Sequence, residues 1–304
     1  DLVSSEITDA LRKKGAKLLL GKHEEENLPK NARLVIYSPA VSKNNPELTK
    51  AGRLRIKRQS YPEALGDLTK RYFTIAVSGT HGKSTTSSMI GLLLVKAGFD
   101  PTVIVGTKLK EFKDSNCRVG KSKYLIIEAD EHMASFLNYW PKIIVLTNIE
   151  REHLDYYKNL NNVLKTYKKY IAHLPKEGYL VANKDDKNIK KILQIRNTTF
   201  STIVRNAVYF AARQLEAKKL KEILKIPGKH NIANALAALA VARILKISDK
   251  ISFKALSEYR GSWRRFEERD FKIKNLKLKI INDYGHHPTE IKATLEAARE
   301  KYPK

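Results

Sequence analysis

Four short apolar runs punctuate the chain, and each is followed closely by polar or glycine-bearing sequence. Leu34-Val35-Ile36-Tyr37, Ile75-Ala76-Val77, Tyr124-Leu125-Ile126-Ile127 and Ile143-Ile144-Val145-Leu146 are continuous rather than alternating, which predicts strands buried on both faces. Helical patterns follow several of them. The stretch Thr74 to Gly98, TIAVSGTHGKSTTSSMIGLLLVKAG, passes from an apolar strand through two glycines and a lysine into an apolar helix. A second apolar segment, ANALAALAVARILKI, is rich in alanine, interrupted by Arg243 and too short to cross a bilayer, so it predicts a buried helix. The opening residues, DLVSSEITDALRKKGAKLL, predict a helix with a polar start and lack the apolar core of a signal peptide. No internal repeat or low-complexity tract is present. Strands alternating with helices predict parallel α/β layers, in which ligands sit beyond the carboxyl ends of the strands.

Candidate chemistry falls where that rule puts it. Gly79-Thr80-His81-Gly82-Lys83-Ser84 follows the second run, Glu128-Ala129-Asp130-Glu131 the third, and Thr147-Asn148-Ile149-Glu150 with His153 the fourth. A strand, a glycine-rich turn, Lys-Ser and a helix together form a phosphate cradle: backbone N–H groups and the helix N-terminus face an anion, and the ammonium reaches further out. The literal P-loop pattern requires glycine where Val77 stands, so only Gly82-Lys83-Ser84 matches its core. A carboxylate at the end of a buried strand calls for a partner, and in a nucleotide site the natural one is Mg²⁺. Glu128, nearest the strand end, is the first-choice ligand. His153 is either a second ligand or an ordinary hydrogen-bonded loop residue.

Composition narrows the class without choosing it. A chain of 304 residues with 42 % hydrophobic content can bury a substantial core and divide into two or more domains. Its net charge of +26 raises nucleic acid as a partner. The lysines, however, are spread over KNIKKILQIR, EAKKLKEILK and FKIKNLKLKI with no nucleic-acid motif among them, so no specific nucleic-acid partner and no membrane insertion are expected. The single cysteine, Cys117, rules out an internal disulfide and fits a reducing, cytoplasmic setting.

Six motifs occur in one order: GTHGKSTT, IIEADE, TNIEREHLDYY, PGKHNIANALAALAVA, RRFEER and INDYGHHPTEI. In content and spacing the chain resembles the Mur ligases, over most of residues 72 to 294. The resemblance implies an α/β, three-domain architecture with a central P-loop parallel-sheet ATPase domain at 68–262, flanked by a partial UDP-substrate-binding domain at 1–67 and the start of an amino-acid-binding domain at 263–304. GTHGK together with DYGHHPTEI implies the branch that joins L-alanine to UDP-N-acetylmuramate during peptidoglycan precursor synthesis. A murein-recycling branch and a reduced nucleotide-binding protein without ligase activity stand as alternatives.

By the same resemblance the cofactors are ATP and Mg²⁺. Gly79, Thr80, His81, Gly82, Lys83, Ser84 and Thr85 hold the nucleotide phosphates, with Lys83 on the terminal ones. Asn231 and Asn234 lie near adenine, and Arg265 and Asp283 reach the nucleotide from the third domain. Ser84 and Glu128 bind metal, Glu128 the first ion, and His153 helps bind a second; Lys83, Glu128, His153 and Arg265 form the catalytic set. ATP then activates the substrate carboxylate as an acyl phosphate, which the amine attacks; His81, His286 and His287 are the candidate bases. Three departures accompany the likeness. His132-Met133 stand where the family commonly has Ser-Asp, and the span from Asn183 to Pro227 is short enough to question the edge strands of the central sheet. The chain also begins past the first glycine-rich turn and ends about 40 residues into the third domain, which leads us to expect ATP binding without ligation from this stretch alone.

Overall fold

The computed structural model describes residues 2–193, 205–273 and 276–303. The chain divides into two compact units, Asp1–Asp67 and Leu68–Lys304.

The first unit holds helix α1 (Glu6–Lys13), strand β1 (Leu34–Tyr37), helix α2 (Pro46–Arg53), strand β2 (Lys57–Ser60) and the first part of α3 (Tyr61–Arg71). Local signals set its helices. Ser5 caps α1 and exchanges hydrogen bonds with Thr8, and Gly15 follows the helix at φ +88°, so α1 is shorter than the helix the opening residues predict. Asn45 caps α2, with Pro46 in its first turn. The run at Leu34 is a strand as expected, pairing in parallel with β2. It is not a buried one: Leu34 and Ile36 are 43 % and 54 % exposed. A lone two-stranded ladder leaves alternate side chains on an open face, which an unbroken apolar run cannot reveal.

The second unit is built on a seven-stranded sheet ordered β5-β4-β6-β3-β7-β8-β9. Its strands are β3 (Phe73–Ser78), β4 (Thr102–Leu109), β5 (Ser115–Arg118), β6 (Tyr124–Glu128), β7 (Ile143–Leu146), β8 (Tyr179–Asn183) and β9 (Asn206–Phe210). All neighbours run parallel except β4 and β5. Here the apolar runs behave as predicted. All of β7 is buried, and so is β3 from Thr74 onward. β9 pairs in parallel with β8, so an edge strand does lie within the span from Asn183 to Pro227; residues 194–204 of that span lie outside the described ones.

Helix α4 (Lys83–Lys96) leaves the end of β3, and α5 (Leu154–Tyr157) and α6 (Leu160–Ile171) follow β7. Beyond them come α7 (Lys187–Leu193), α8 (Leu215–Ile223), α9 (Lys229–Ile244) and α10 (Asp249–Glu258). The alanine-rich segment is α9, buried from Asn234 to Ala242 and packed on α4. Small side chains on one helix and serines and threonines on the other let the two approach closely without stranding bulk; Ser88, for example, returns its hydroxyl to the Ser84 carbonyl at 2.6 Å. An antiparallel hairpin of β10 (Glu267–Ile273) and β11 (Leu276–Asn282) then leads to α11 (Pro288–Lys301). Among the described residues no helix is long and apolar enough to cross a membrane.

Candidate active site

The loop between β3 and α4 is bent by Gly79 at φ +140° and Gly82 at φ +81°. Neither position has room for a side chain: a Cβ on Gly79 would stand 2.1 Å from Thr147 Oγ1, and one on Gly82 2.5 Å from Asn234 Oδ1. The residues just after β7 hold the loop. Asn148 accepts from the His81 N–H at 2.8 Å and donates to the His81 carbonyl at 3.0 Å, and Thr147 Oγ1 donates to that carbonyl at 2.6 Å. Thr80 N–H donates to the Asn148 carbonyl, and Glu150 N–H to Thr80 Oγ1 at 2.8 Å. Thr147 and Asn148 carry no role in the sequence reading. Their position at a strand end beside the glycine loop was the available signal.

Two carboxylate groups adjoin the Lys83-Ser84 step. Ser84 Oγ donates to Glu128 Oε2 at 3.0 Å, and the Gly106 N–H donates to Glu128 Oε1 at 2.5 Å. Burial raises the pKa of Glu128 against the pull of those two donors. Lys83 Nζ donates to Glu131 Oε2 at 2.9 Å and to the Gly79 carbonyl at 2.7 Å, with Asp130 Oδ1 at 3.9 Å. Burial works against the charge on Lys83, but Glu131 and Asp130 outweigh it and raise its pKa, so it stays an ammonium. Burial also pushes Glu131 up to about 7 in spite of Lys83. Its Oε1 is buried without a hydrogen-bond partner.

His153 belongs to the second group. Asp130, Glu131 and His153 each offer a ligand atom, all within 4.8 Å of one another. Burial lowers the His153 pKa, which favours the neutral imidazole that a metal requires, and its ring lies 4.5 Å from that of His132. Glu128 and His153 sit in separate groups beside the loop, one on Ser84 and the other with the carboxylates that face Lys83. The sequence reading weighted Glu128 within EADE and missed Asp130 and Glu131, although they lie in the same tetrapeptide.

Beside the loop opens a cavity of ≈ 260 Å³. His81, Gly82, Ser84 and Thr85 line it from the loop side, Asn231 and Asn234 from α9, and Arg265 and Asp283 from the segments flanking the hairpin. Asn231 Nδ2 donates to the Pro227 carbonyl at 2.6 Å, and Asp283 accepts from the Phe266 and Gly285 N–H groups at 2.8 and 2.7 Å. Residues more than 200 positions apart thus meet in one cleft. Gly79, Thr80, Lys83, Glu128 and His153 are not on its walls.

The start of α11 closes over the loop. Glu290 Oε1 is 3.1 Å from His81 Nδ1, and Glu290 Oε2 accepts from the His286 N–H at 3.1 Å and the His287 N–H at 3.4 Å. Burial opposes the charge on Glu290, yet these partners hold its pKa down at about 2. His81 is raised in turn: burial lowers it, and the bond to Glu290 and the charges of Glu290, Glu150 and Glu152 more than compensate. Thr289 Oγ1 donates to Glu150 Oε2 at 2.8 Å.

A glycine-bent loop opening into a helix at the carboxyl end of a parallel sheet, with a buried lysine and an acidic strand beside it, defines a nucleotide-binding α/β domain of the phosphate-loop class. The chain belongs to the Mur ligase family: residues 77–242 match the Mur ligase middle domain, and residues 1–73 match the model described as "Mur ligase family, catalytic domain". It is 41 % identical to the UDP-N-acetylmuramate–L-alanine ligase of Clostridium botulinum strain Hall, a match spanning all of this chain and 68 % of that protein. Identity to the enzyme of the same name from Acetivibrio thermocellus is 42 %, with the same coverage. Among solved structures, the UDP-N-acetylmuramate–alanine ligase of Thermotoga maritima matches with a TM-score of 0.81 and 26 % identity, over all of this chain and 72 % of that one.

Proposed function

We propose that the protein is an ATP-dependent ligase that joins L-alanine to UDP-N-acetylmuramate in peptidoglycan precursor synthesis, acting in the cytoplasm. One observation carries this reading. A single loop gathers a buried ammonium, a hydroxyl and three carboxylates beside a cleft to which Arg265 and Asp283 also contribute, in a chain 41 % identical to enzymes of that name. Within it, residues 1–67 belong to the UDP-substrate-binding domain, 68–262 form the ATP-binding domain and 263–304 open the amino-acid-binding domain.

The residues suit ATP and Mg²⁺. Gly79 through Thr85 would receive the phosphates at the N-terminus of α4. Asn231 and Asn234, whose amides both donate and accept, would meet the adenine end of the cleft. Ser84 and Glu128 would hold one ion, and His153 with Asp130 and Glu131 a second. Bound there, Mg²⁺ would offset the repulsion between phosphate and substrate carboxylate. Lys83 must exchange Glu131 for a phosphate oxygen, and Arg265 adds positive charge from the far wall. Of the three candidate bases, His81 and His287 face Glu150 together, and His286, the most exposed of the three, would meet the incoming amine.

The test is phosphate release from ATP with UDP-N-acetylmuramate present, run with L-alanine and then with a murein tripeptide. Alanine-dependent turnover is expected. Turnover with the tripeptide alone would move the protein to the recycling branch, and ATP binding without turnover on either would favour a nucleotide-binding protein that does not ligate.

A further inference from the structure

His81 follows β3, Glu150 follows β7 and His287 caps α11, and the three side chains meet although the first and last are more than 200 positions apart. Each offers a ligand atom, all within 4.8 Å of one another. His81 Nε2 is 3.6 Å from Glu150 Oε2, and His287 Nδ1 is 3.8 Å from the same oxygen. Those separations are too long for hydrogen bonds. They are close to the roughly 3.3–3.5 Å that separates ligands placed tetrahedrally about one ion at 2.0–2.1 Å.

The arrangement around the three atoms is that of a supported ligand set. His81 turns its Nδ1 to Glu290 at 3.1 Å, which leaves Nε2 directed at Glu150; that Nε2 is buried and has no hydrogen-bond partner. A buried ring nitrogen facing a carboxylate across a gap is satisfied by a proton or by a cation between them. Glu290 stands to His81 as the outer carboxylate that fixes the ring of a metal-bound histidine. Thr289 Oγ1 fixes Glu150 at 2.8 Å. Only His287 must give something up: its Nδ1 accepts the Thr289 N–H over a long 3.3 Å, while the other half of the cap, Glu290 on the His287 N–H, is unaffected.

We propose that His81, Glu150 and His287 form a binding site for a transition-metal cation of the zinc class, which fastens the loops after β3 and β7 to the start of α11. Two imidazoles against one carboxylate suit zinc or cobalt, whereas Mg²⁺ favours oxygen ligands, which predominate in the Asp130–Glu131–His153 group. The site shares no residue with the Asp130–Glu131–His153 group. His81 and Glu150 also line the ≈ 260 Å³ cavity, so the remaining coordination position borders space for water or a ligand oxygen. A bound ion would hold the cleft closed and slow nucleotide exchange. The inference does not depend on which reaction the protein catalyses.

The test uses chelator-treated protein without nucleotide, in excess Mg²⁺ to occupy oxygen-rich sites. Titration with Co²⁺ should produce a visible d–d band that saturates at one equivalent and is displaced by Zn²⁺, and Zn²⁺ should raise the Tm. Glu150→Gln and His287→Gln should each weaken Zn²⁺ binding at least tenfold, and Glu290→Gln by about 10–100-fold. His153→Gln should leave it within about twofold, since it lies in the other group. Absence of a saturable band and of a Tm rise in the unmutated protein overturns the proposal whatever the variants do. So does Zn²⁺ binding that survives Glu150→Gln and His287→Gln but is lost with His153→Gln.

Discussion

Two glutamates at opposite ends of the phosphate loop, each facing a cation and each largely buried, titrate in opposite directions. Glu131 faces Lys83 and is pushed up to about 7, while Glu290 faces His81 and is held at about 2. The cation is not what separates them. Glu290 spreads its charge over His81 and two backbone N–H groups at the start of α11. Glu131 has Lys83 on one oxygen, nothing on the other, and Asp130 nearby adding like charge. Depth and hydrogen-bond supply decide it together: Glu131 is 2 % exposed against 14 % for Glu290, so burial prevails at Glu131 and the donors prevail at Glu290. The Glu290 end is a finished fastening that ties α11 to the loop, and the Glu131 end leaves one carboxylate oxygen without a hydrogen-bond partner.

The largest effect should come from Lys83→Ala, which removes the charge that this end offers to phosphate. ATP affinity measured by calorimetry should fall at least a hundredfold, about 3 kcal/mol or more. The Glu290 end should be untouched, so His81 should keep its raised pKa by NMR. Retained affinity would show that the lysine is committed to Glu131 and not to nucleotide.

Next is Glu290→Gln, which breaks the finished end. A carboxylate whose folded pKa lies below its ordinary value stabilises the fold above that ordinary value and loses the contribution as pH falls. Between pH 5 and pH 2 the unmutated protein should therefore lose on the order of 3 kcal/mol that the variant has already lost. Parallel stability curves for the two proteins would remove the contrast.

Glu131→Gln should do the reverse and by less. Its raised pKa means that the folded state favours the protonated acid, a contribution fully present below pH 4.5 and lost as pH rises through about 7. The variant should gain on the unmutated protein between pH 5 and pH 8, by on the order of 2 kcal/mol in chemical denaturation. A widening deficit at high pH would mean that the Lys83 ion pair outweighs the desolvation of the acid.

The smallest effect belongs to Asn231→Ala, in the same cleft but away from both charges. Loss of its amide should cost about 1 kcal/mol of ATP affinity with no pH dependence between 6 and 8. A pH-dependent loss would extend the charged network to the part of the cleft that Asn231 lines.

Much of this was legible along the chain because the signals are local. Unbroken apolar runs at Ile75 and Ile143 announce strands buried on both faces, and the glycines, Lys83 and Ser84 announce an anion loop, since backbone freedom and charge there depend only on nearby residues. Six ordered motifs carried Asn231, Arg265 and Asp283 to the same cleft. What the tertiary structure alone decided is pairing and burial. In EADE the sequence singles out Glu128 by its place at the strand end but assigns no partners; strand register places Glu128 on Ser84, while the turn that follows gives Asp130 and Glu131 to Lys83 and His153. The run at Leu34 looks like its neighbours in sequence and differs only because its sheet has two strands. The meeting of His81, Glu150, His287 and Glu290 requires three segments to converge, and no spacing within one segment can encode how many N–H groups a distant carboxylate will find when it arrives.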